Sequence, residues 1–221
     1  ERFQMTGISG TRGAVYVVED DADLRQSIEW ILRSVGYDVA AFAQADDFLL
    51  RCDGEGAACL IVDLLLPGMT GLRLCREIVR RKSPLAFVMI SGHGDVPSTV
   101  EAMRLGAVDF LEKPFSHQEL LAAVDIALAK AHSIYDRNAA DADAGARLAT
   151  LTPREQQIFD AVCDGLVSKE IAKRLGISSR TVDVHRSRIM EKLKVESHTQ
   201  LAHLISAAHR RREASVTPKA S

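Results

Sequence analysis

The sequence predicts two folds in one chain: a doubly wound α/β domain around a five-stranded parallel sheet, then a small all-α domain of four helices. Three observations carry this. Short apolar runs of strand length alternate with amphipathic helical segments five times between Ala14 and Ala131. That alternation implies a parallel sheet with helices on both faces, joined by right-handed crossovers. After Thr150 the hydrophobic period is helical only. Finally, charge changes sign between the halves: residues 1–150 hold 15 Lys+Arg against 22 Asp+Glu, or −7, and residues 151–221 hold 13 against 8, or +5. Such polarity suggests two tasks, with the basic half a candidate for nucleic acid.

The elements follow in order. Ala14–Val18 (AVYVV) is a β-branched run, read as a central strand. Glu19, Asp20, Asp21 and Asp23 come directly after it. Ala22–Val35 places Leu24, Ile28, Ile31, Leu32 and Val35 at helical spacing, and Gly36 ends the segment as a C′ glycine. Asp38–Phe42 is a second strand and Ala45–Leu50 a short helix. Cys59–Val62 is a third strand that delivers Asp63 to its C-terminal end, with Pro67, Gly68 and Gly71 closing the loop beyond. Leu72–Arg81 is a helix with Leu74, Ile78 and Val79 as its apolar face. Ala86–Ile90 is a fourth strand ending in Ser91, Gly92, His93 and Gly94. A helix over Val96–Leu105 precedes Gly106, and Val108–Leu111 is a fifth strand ending in Glu112, Lys113 and Pro114. Ser116 with Glu119 forms a capping box that opens a helix through at least Ala131.

This first domain spans residues 12–132. Residues 133–150 turn to Ala, Asp, Asn and Arg and read as a linker or a fraying helical extension; Gly145 argues against one unbroken helix. The helical domain spans 151–210. Thr152 and Glu155 form a capping box with Pro153 at the first helical position, starting a helix that runs through Cys163 and stops near Gly165. Ser168 caps a second helix, Lys169–Leu175, ending at Gly176. Ser178 caps a third, Ser179–Lys194, and Ser197 a fourth, through about His209. The tight glycine-containing turn between the second and third suits a helix-turn-helix. Residues 211–221 read as a disordered tail.

Composition sets outer bounds. Hydrophobic content of 47% and charged content of 26% are those of a globular protein. No apolar run approaches the roughly 20 residues that span a bilayer. The start, ERFQMTGISGTRG, lacks an apolar core and does not read as a signal peptide; it reads as a disordered lead-in, with Met5 an alternative start. Cys52, Cys59, Cys75 and Cys163 show no CxxC pair and no His at ligand spacing, which argues against zinc. Reduced thiols in a cytoplasm are the expectation.

The chemistry lies at the strand ends. Glu19 and Asp20 follow the first strand, Asp63 ends the third, Ser91 the fourth and Lys113 the fifth. In a parallel sheet these ends share one edge, the edge where open α/β sheets bind ligands. Each residue alone has a plain explanation as a turn former, a helix cap or a surface lysine; together they form one crevice. Three carboxylates there repel unless a positive group joins them. A hard divalent cation, Mg2+, answers that need, and Lys113 adds a second positive charge. A carboxylate beside Mg2+, a lysine and a hydroxyl is an acceptor for a phosphoryl group.

At this point the chain resembles a known family. Glu19/Asp20, Asp63, Ser91, Phe110 and Lys113-Pro114 look like the receiver domain of two-component response regulators, a flavodoxin-like fold. Residues 151–210 look like the LuxR-type helix-turn-helix output domain, and the pair resembles the NarL/FixJ class. GHGDVPSTVEAM and GAVDFLEKPF are similar to its FixJ-like branch. The resemblance implies that Asp63 is the phosphoacceptor and that Glu19, Asp20, Asp63 and the backbone carbonyl of Leu65 bind Mg2+. It implies Ser91 and Phe110 as the switch pair, Lys113 as the site lysine, and a cis bond before Pro114. It implies a sensor histidine kinase as phosphodonor, dimerisation on phosphorylation, promoter DNA as target and RNA polymerase as a candidate partner. The departure is Glu19, where Asp is commoner; its longer arm would hold the metal through water and weaken binding.

The output half carries its own physical signal. The third helix bears Arg180, His185, Arg186, Arg188, Lys192 and Lys194 outward, with Val182, Ile189 and Leu193 inward. A basic outer face on the second helix of a tight pair suits the major groove. The candidate DNA contacts are Lys169, then Ser179, Arg180, Thr181, Asp183, Val184, His185, Arg186, Ser187, Arg188 and Lys192. Arg and Lys would sit on phosphates, whereas Asp183 and Val184 lie near the helix start where base edges are reached. Leu201, Leu204 and Ile205 on the fourth helix suit a dimer face as well as a core.

The leading expectation is therefore a phosphorylation-switched transcription factor, not an enzyme beyond transferring and slowly losing its own phosphate. One rival is a phosphatase of the haloacid dehalogenase type, which normally carries a second acid where Leu65 stands here. Another is a receiver acting through protein contact alone, or a DNA binder no longer controlled by phosphate.

Overall fold

The computed structural model describes residues 12–52, 56–92, 96–195, 200–201 and 204–209. Two compact units divide in sequence between Arg137 and Asn138. The first contains β1 (Ala14–Val18), α1 (Ala22–Ser34), β2 (Asp38–Phe42), α2 (Ala45–Arg51), β3 (Ala58–Asp63), α3 (Gly71–Arg80), β4 (Leu85–Ser91), α4 (Val96–Leu105) and β5 (Asp109–Glu112). It also holds the start of α5 (His117–Leu148). The second contains α6 (Pro153–Cys163), α7 (Ser168–Leu175) and α8 (Ser179–Lys192), with further helix at 200–201 and 204–209.

The sheet of the first unit is all parallel, in the order β2-β1-β3-β4-β5. Alternate residues of each strand feed opposite cores. Tyr16, Val18, Leu60, Val62 and Met89 face a layer with Phe48 of α2, Leu74 and Ile78 of α3, and Ala102 of α4. Val15, Val17, Cys59, Ile61 and Ile90 face a layer with Ile28 and Leu32 of α1, and Leu120 and Val124 of α5. Burial on both faces is why these strands read as continuous apolar runs instead of alternating ones. Strand order reverses between β1 and β3, so their C-terminal ends open a crevice. Cys59 and Cys75 lie in the two cores, where burial raises both thiols above their ordinary range.

Local signals set most helix starts. The Asp21 carboxylate accepts the N–H of Asp23 and Leu24 and caps α1. Thr70 caps α3, Ser178 caps α8, and Thr152 with Glu155 closes a reciprocal capping box at α6.

Asp63 ends β3, as expected, and pairs with Ile90 in the sheet. Four expectations need correction. β5 begins and ends one residue later than expected, at Asp109–Glu112; Val108 just before it still bonds across to β4 through its N–H on the Phe87 carbonyl. The cap of α7 is Val167, not Ser168; Glu170 Oε2 reaches back to the Val167 N–H at 3.0 Å and performs half of the capping function from inside the helix. Gly145 does not break α5, so residues 133–148 are helical and not an irregular linker. A mid-helix glycine costs about 1 kcal/mol against alanine, and here Ala144 and Leu148 are buried in the core of the second unit. Likewise α8 stops at Lys192, two residues early, with Leu193 as C-cap and Lys194 at φ 49°. The expected cap Ser197 lies outside the described residues.

Candidate functional site

The strand-end residues converge as their order implied. Glu19 follows β1 and is fully buried. Its N–H donates to the Phe42 carbonyl at 3.1 Å, and its Oε1 accepts the Asp21 N–H at 3.2 Å. Lys113 Nζ donates to Glu19 Oε2 at 2.7 Å and to Asp63 Oδ2 at 3.0 Å. The Leu65 N–H donates to Asp63 Oδ1 at 3.3 Å. Asp63 is buried and Asp20 exposed, and Glu19, Asp20 and Asp63 each offer an oxygen within 4.8 Å of the others. Ser91 is buried at the end of β4, and its carbonyl accepts the Lys113 N–H at 2.8 Å. That bond aims the β5 end, with its cis Lys113–Pro114 peptide, back at the crevice. Phe110 is half-buried against the α3–α4 layer, opposite Met89.

The electrostatics are those of an unresolved conflict. Burial lifts the Glu19 carboxyl above its ordinary range; the Lys113 hydrogen bond pulls it back, and the Asp63 charge pushes it up again. Burial alone would lower Lys113, but its bonds to Glu19 and Asp63 outweigh that and raise it. Two carboxylates and one ammonium leave a net negative pocket with a third acid at the rim. An all-oxygen donor set of this charge fits a hard divalent cation.

One residue of the site, Arg25, escaped sequence reasoning, and Gly71, read there only as a loop former, has a more specific role. Arg25 donates from Nη1 to the backbone carbonyls of Glu19 at 2.7 Å and Asp20 at 3.0 Å, fixing the acidic loop. An arginine near a helix N-terminus opposes the helix dipole, and that anomaly was the available signal. Gly71 gives its N–H to the Leu64 carbonyl at 3.1 Å. A Cβ there would sit 2.1 Å from the Asp63 carbonyl oxygen, so only glycine lets α3 begin this close to the end of β3.

In the second unit, Gly176 adopts φ 66° to turn the chain from α7 into α8. Val182 and Ile189 of α8, with Leu193 after it, face the core. Lys169, Ser179, Arg180, Thr181, Asp183, Val184, Ser187 and Arg188 are exposed. Thr181 joins the Ser178 cap and Ser187 Oγ donates to the Asp183 carbonyl. His185 and Arg186 are half-buried. Arg186 Nη1 donates to Ser168 Oγ at 2.9 Å. Lys192 Nζ donates to Glu155 Oε2 at 2.6 Å.

Comparison with known proteins assigns a family to each unit. Residues 15–125 match the response regulator receiver domain, and residues 149–205 match the bacterial regulatory proteins of the luxR family. The chain is 39% identical over 198 residues to the transcriptional regulatory protein FixJ of Bradyrhizobium diazoefficiens, covering 90% of this chain and 97% of that protein. Among solved structures it resembles the response regulator StyR, with 38% identity, a TM-score of 0.69 and coverage of 87% of this chain and 98% of that one. Full-length FixJ from B. japonicum gives 39% identity, a TM-score of 0.54 and coverage of 90% and 98%. The chain therefore belongs to the two-component response regulators. Within them its pairing of a receiver with a LuxR-type helix-turn-helix places it in the NarL/FixJ class, whose members regulate transcription.

Proposed function

We propose that this response regulator is switched by phosphorylation of Asp63 and, once switched, dimerises and binds promoter DNA through α8. The observation that carries the reading is Lys113, whose ammonium lies 2.7 Å from Glu19 and 3.0 Å from Asp63. A lysine shared between a buried acid and the acceptor neutralises charge on a phosphoryl group arriving at Asp63. The donor is the phosphohistidine of a cognate sensor kinase. A carboxylate oxygen of Asp63 attacks phosphorus in line, the P–O bond forms, and the P–N bond breaks with its electron pair on the imidazole, which takes up a proton. Glu19, Asp20, Asp63 and the Leu65 carbonyl would hold Mg2+, which when bound supplies further neutralisation of the phosphoryl oxygens. Glu19, occupied by Lys113, would serve the metal through water.

The remaining assignments extend this reading. Ser91 turns its hydroxyl to the new phosphoryl oxygen, and Phe110 moves inward into the space released. That remodels α4, β5 and the start of α5, where Val96, Val100 and Met103 form an exposed apolar stripe at helical spacing suited to pairing with a second copy. Two linked helix-turn-helix units raise DNA affinity through bivalency. Lys169 and the exposed face of α8 supply the DNA contacts, and RNA polymerase is a candidate partner on DNA. The protein acts in the cytoplasm and turns over no substrate other than its own phosphate; among the described residues no helix is long and apolar enough to cross a membrane.

The test is labelling by a small acyl-phosphate donor. Asp63→Asn should abolish it, and chelation of Mg2+ should do the same in the parent. Labelling that persists in the variant would overturn the assignment.

A further inference from the structure

Basic side chains on a recognition helix are ordinarily assigned to phosphates, and by sequence Arg186 and Lys192 were. Their geometry says otherwise. Lys192, in the last turn of α8, is 38% exposed along its side chain, yet its ammonium donates to Glu155 Oε2 at 2.6 Å. Glu155 is only 4% exposed. The same oxygen accepts the Thr152 N–H at 2.8 Å and the Thr152 hydroxyl at 2.9 Å. The end of α8 is thus tied to the N-terminal cap of α6. At the middle of α8, Arg186 donates to Ser168 in the first turn of α7. A third tie links α6 to α7, from Arg154 Nη2 to the Leu175 carbonyl at 2.8 Å. By contrast, Arg180 and Arg188 are exposed on α8, and among the described residues no side-chain hydrogen bond or ion pair engages either.

We infer that Lys192 and Arg186 are positioning residues that fix the seat of α8 against α6 and α7, and that they do not contact phosphates. Removing an unpaired cation at a DNA interface lowers both affinity and the salt slope, because one fewer counterion is released. Removing a cation already neutralised inside the protein lowers affinity by misplacing the helix, and leaves the slope alone. Glu155 sharpens the contrast. Deleting an anion from a DNA-binding unit strengthens binding if charge alone matters; if Glu155 seats α8, deleting it weakens binding. The Glu155 carboxyl is held down to about 2, first by the Lys192 hydrogen bond and then by the Thr152 N–H, so it is an anion at every pH of a binding measurement.

The inference rests on the reading of α8 as the DNA-contacting helix, and the experiment separates the two. Affinity of the full chain is measured by anisotropy across a salt series, on a duplex selected by the parent protein and on one of random sequence. Arg188→Ala is the control and should reduce the salt slope by about one. Lys192→Met, Glu155→Gln and Ser168→Ala should each weaken binding to the selected duplex by about tenfold, the loss of one charge-assisted hydrogen bond, with the parent's slope. The double variant Lys192→Met/Glu155→Gln should be no worse than the weaker single, as expected of a coupled pair. Lys192→Arg, which keeps the donor, should restore most of the affinity. A slope reduced by about one in Lys192→Met, or tighter binding by Glu155→Gln, overturns the proposal. If Lys192→Met does not fold, the sign of the Glu155→Gln effect decides. An unchanged slope in Arg188→Ala overturns the docking reading, and this inference with it.

Discussion

Two buried glutamates, each with a lysine at hydrogen-bond distance, meet opposite fates in the two units. Glu19 touches Lys113 at 2.7 Å and is pushed toward protonation. Glu155 touches Lys192 at 2.6 Å and is pushed toward ionisation. The lysine is not the difference. Glu155 has three donors gathered on one carboxylate oxygen and no acid among the causes that shift it, whereas Glu19 shares its lysine with Asp63 and lies beside its charge. A buried charge with all its partners holds a fold together; a buried charge in dispute is held ready for a ligand that ends the dispute. Lys113 is placed for the chemistry proposed at Asp63, and Lys192 for architecture.

The largest effect should come from breaking that division at Lys113. Lys113→Met should slow labelling of Asp63 by about a hundredfold, the cost of removing one preorganised charge from a transferring group; Lys192→Met should leave labelling unchanged. Equal labelling by both variants would erase the contrast. The next effect concerns persistence. Leu65 is 63% exposed beside Asp63 and offers nothing to hold an attacking water. Leu65→Asn should speed loss of phosphate after donor removal by roughly tenfold, the worth of one hydrogen bond to that water. His93, two residues past Ser91, lies outside the described residues. A parent half-life of seconds, or no acceleration, would refute this.

The same substitution at the two glutamates should then give opposite signs in thermal unfolding. Glu19→Gln removes a disputed charge and should raise the melting temperature of the receiver by about 2–4 °C, at the expense of labelling. Glu155→Gln should lower that of the helical unit. The pH dependence follows. Glu155 titrates at about 2 in the fold against an ordinary 4.5, so its contribution is complete above the ordinary value and is lost as pH falls between the two. Glu19 is raised, so its ionisation weakens the fold as pH rises through the carboxylate range. Acid unfolding of the helical unit that is identical in parent and Glu155→Gln below pH ~4.5 would show that the pair contributes nothing.

Much of the receiver was legible because its signals are local. A buried parallel strand is an apolar run, and its end is marked by the first polar residue, so Glu19, Ser91 and Lys113 could be placed by counting. The convergence at one sheet edge then followed from topology. What sequence could not give were contacts between distant residues of unremarkable type. Lys192 meets Glu155 across 37 positions, with no period linking them, so charge alone assigned the lysine to DNA. Ser168 was taken for a cap because serine usually is one. The cap position falls on Val167, and the hydroxyl serves Arg186 instead. Gly145 was taken for a breaker because its cost is visible in sequence, whereas the burial of Ala144 and Leu148 that offsets it is not.

Gly71 has a genetic consequence. At most buried positions tolerance declines with side-chain size, because a core yields a little to a methyl group and less to a ring. At Gly71 the first carbon beyond the backbone already meets the carbonyl of Asp63 at 2.1 Å. Alanine is therefore as forbidden as tryptophan, and a saturation library read for transcriptional output should show a flat floor there instead of a slope. The collision is with main chain, so no second mutation in a neighbouring side chain can rescue it. In a drifting lineage this position can change only if β3 moves, and that would displace Asp63, the residue proposed to receive the phosphoryl group.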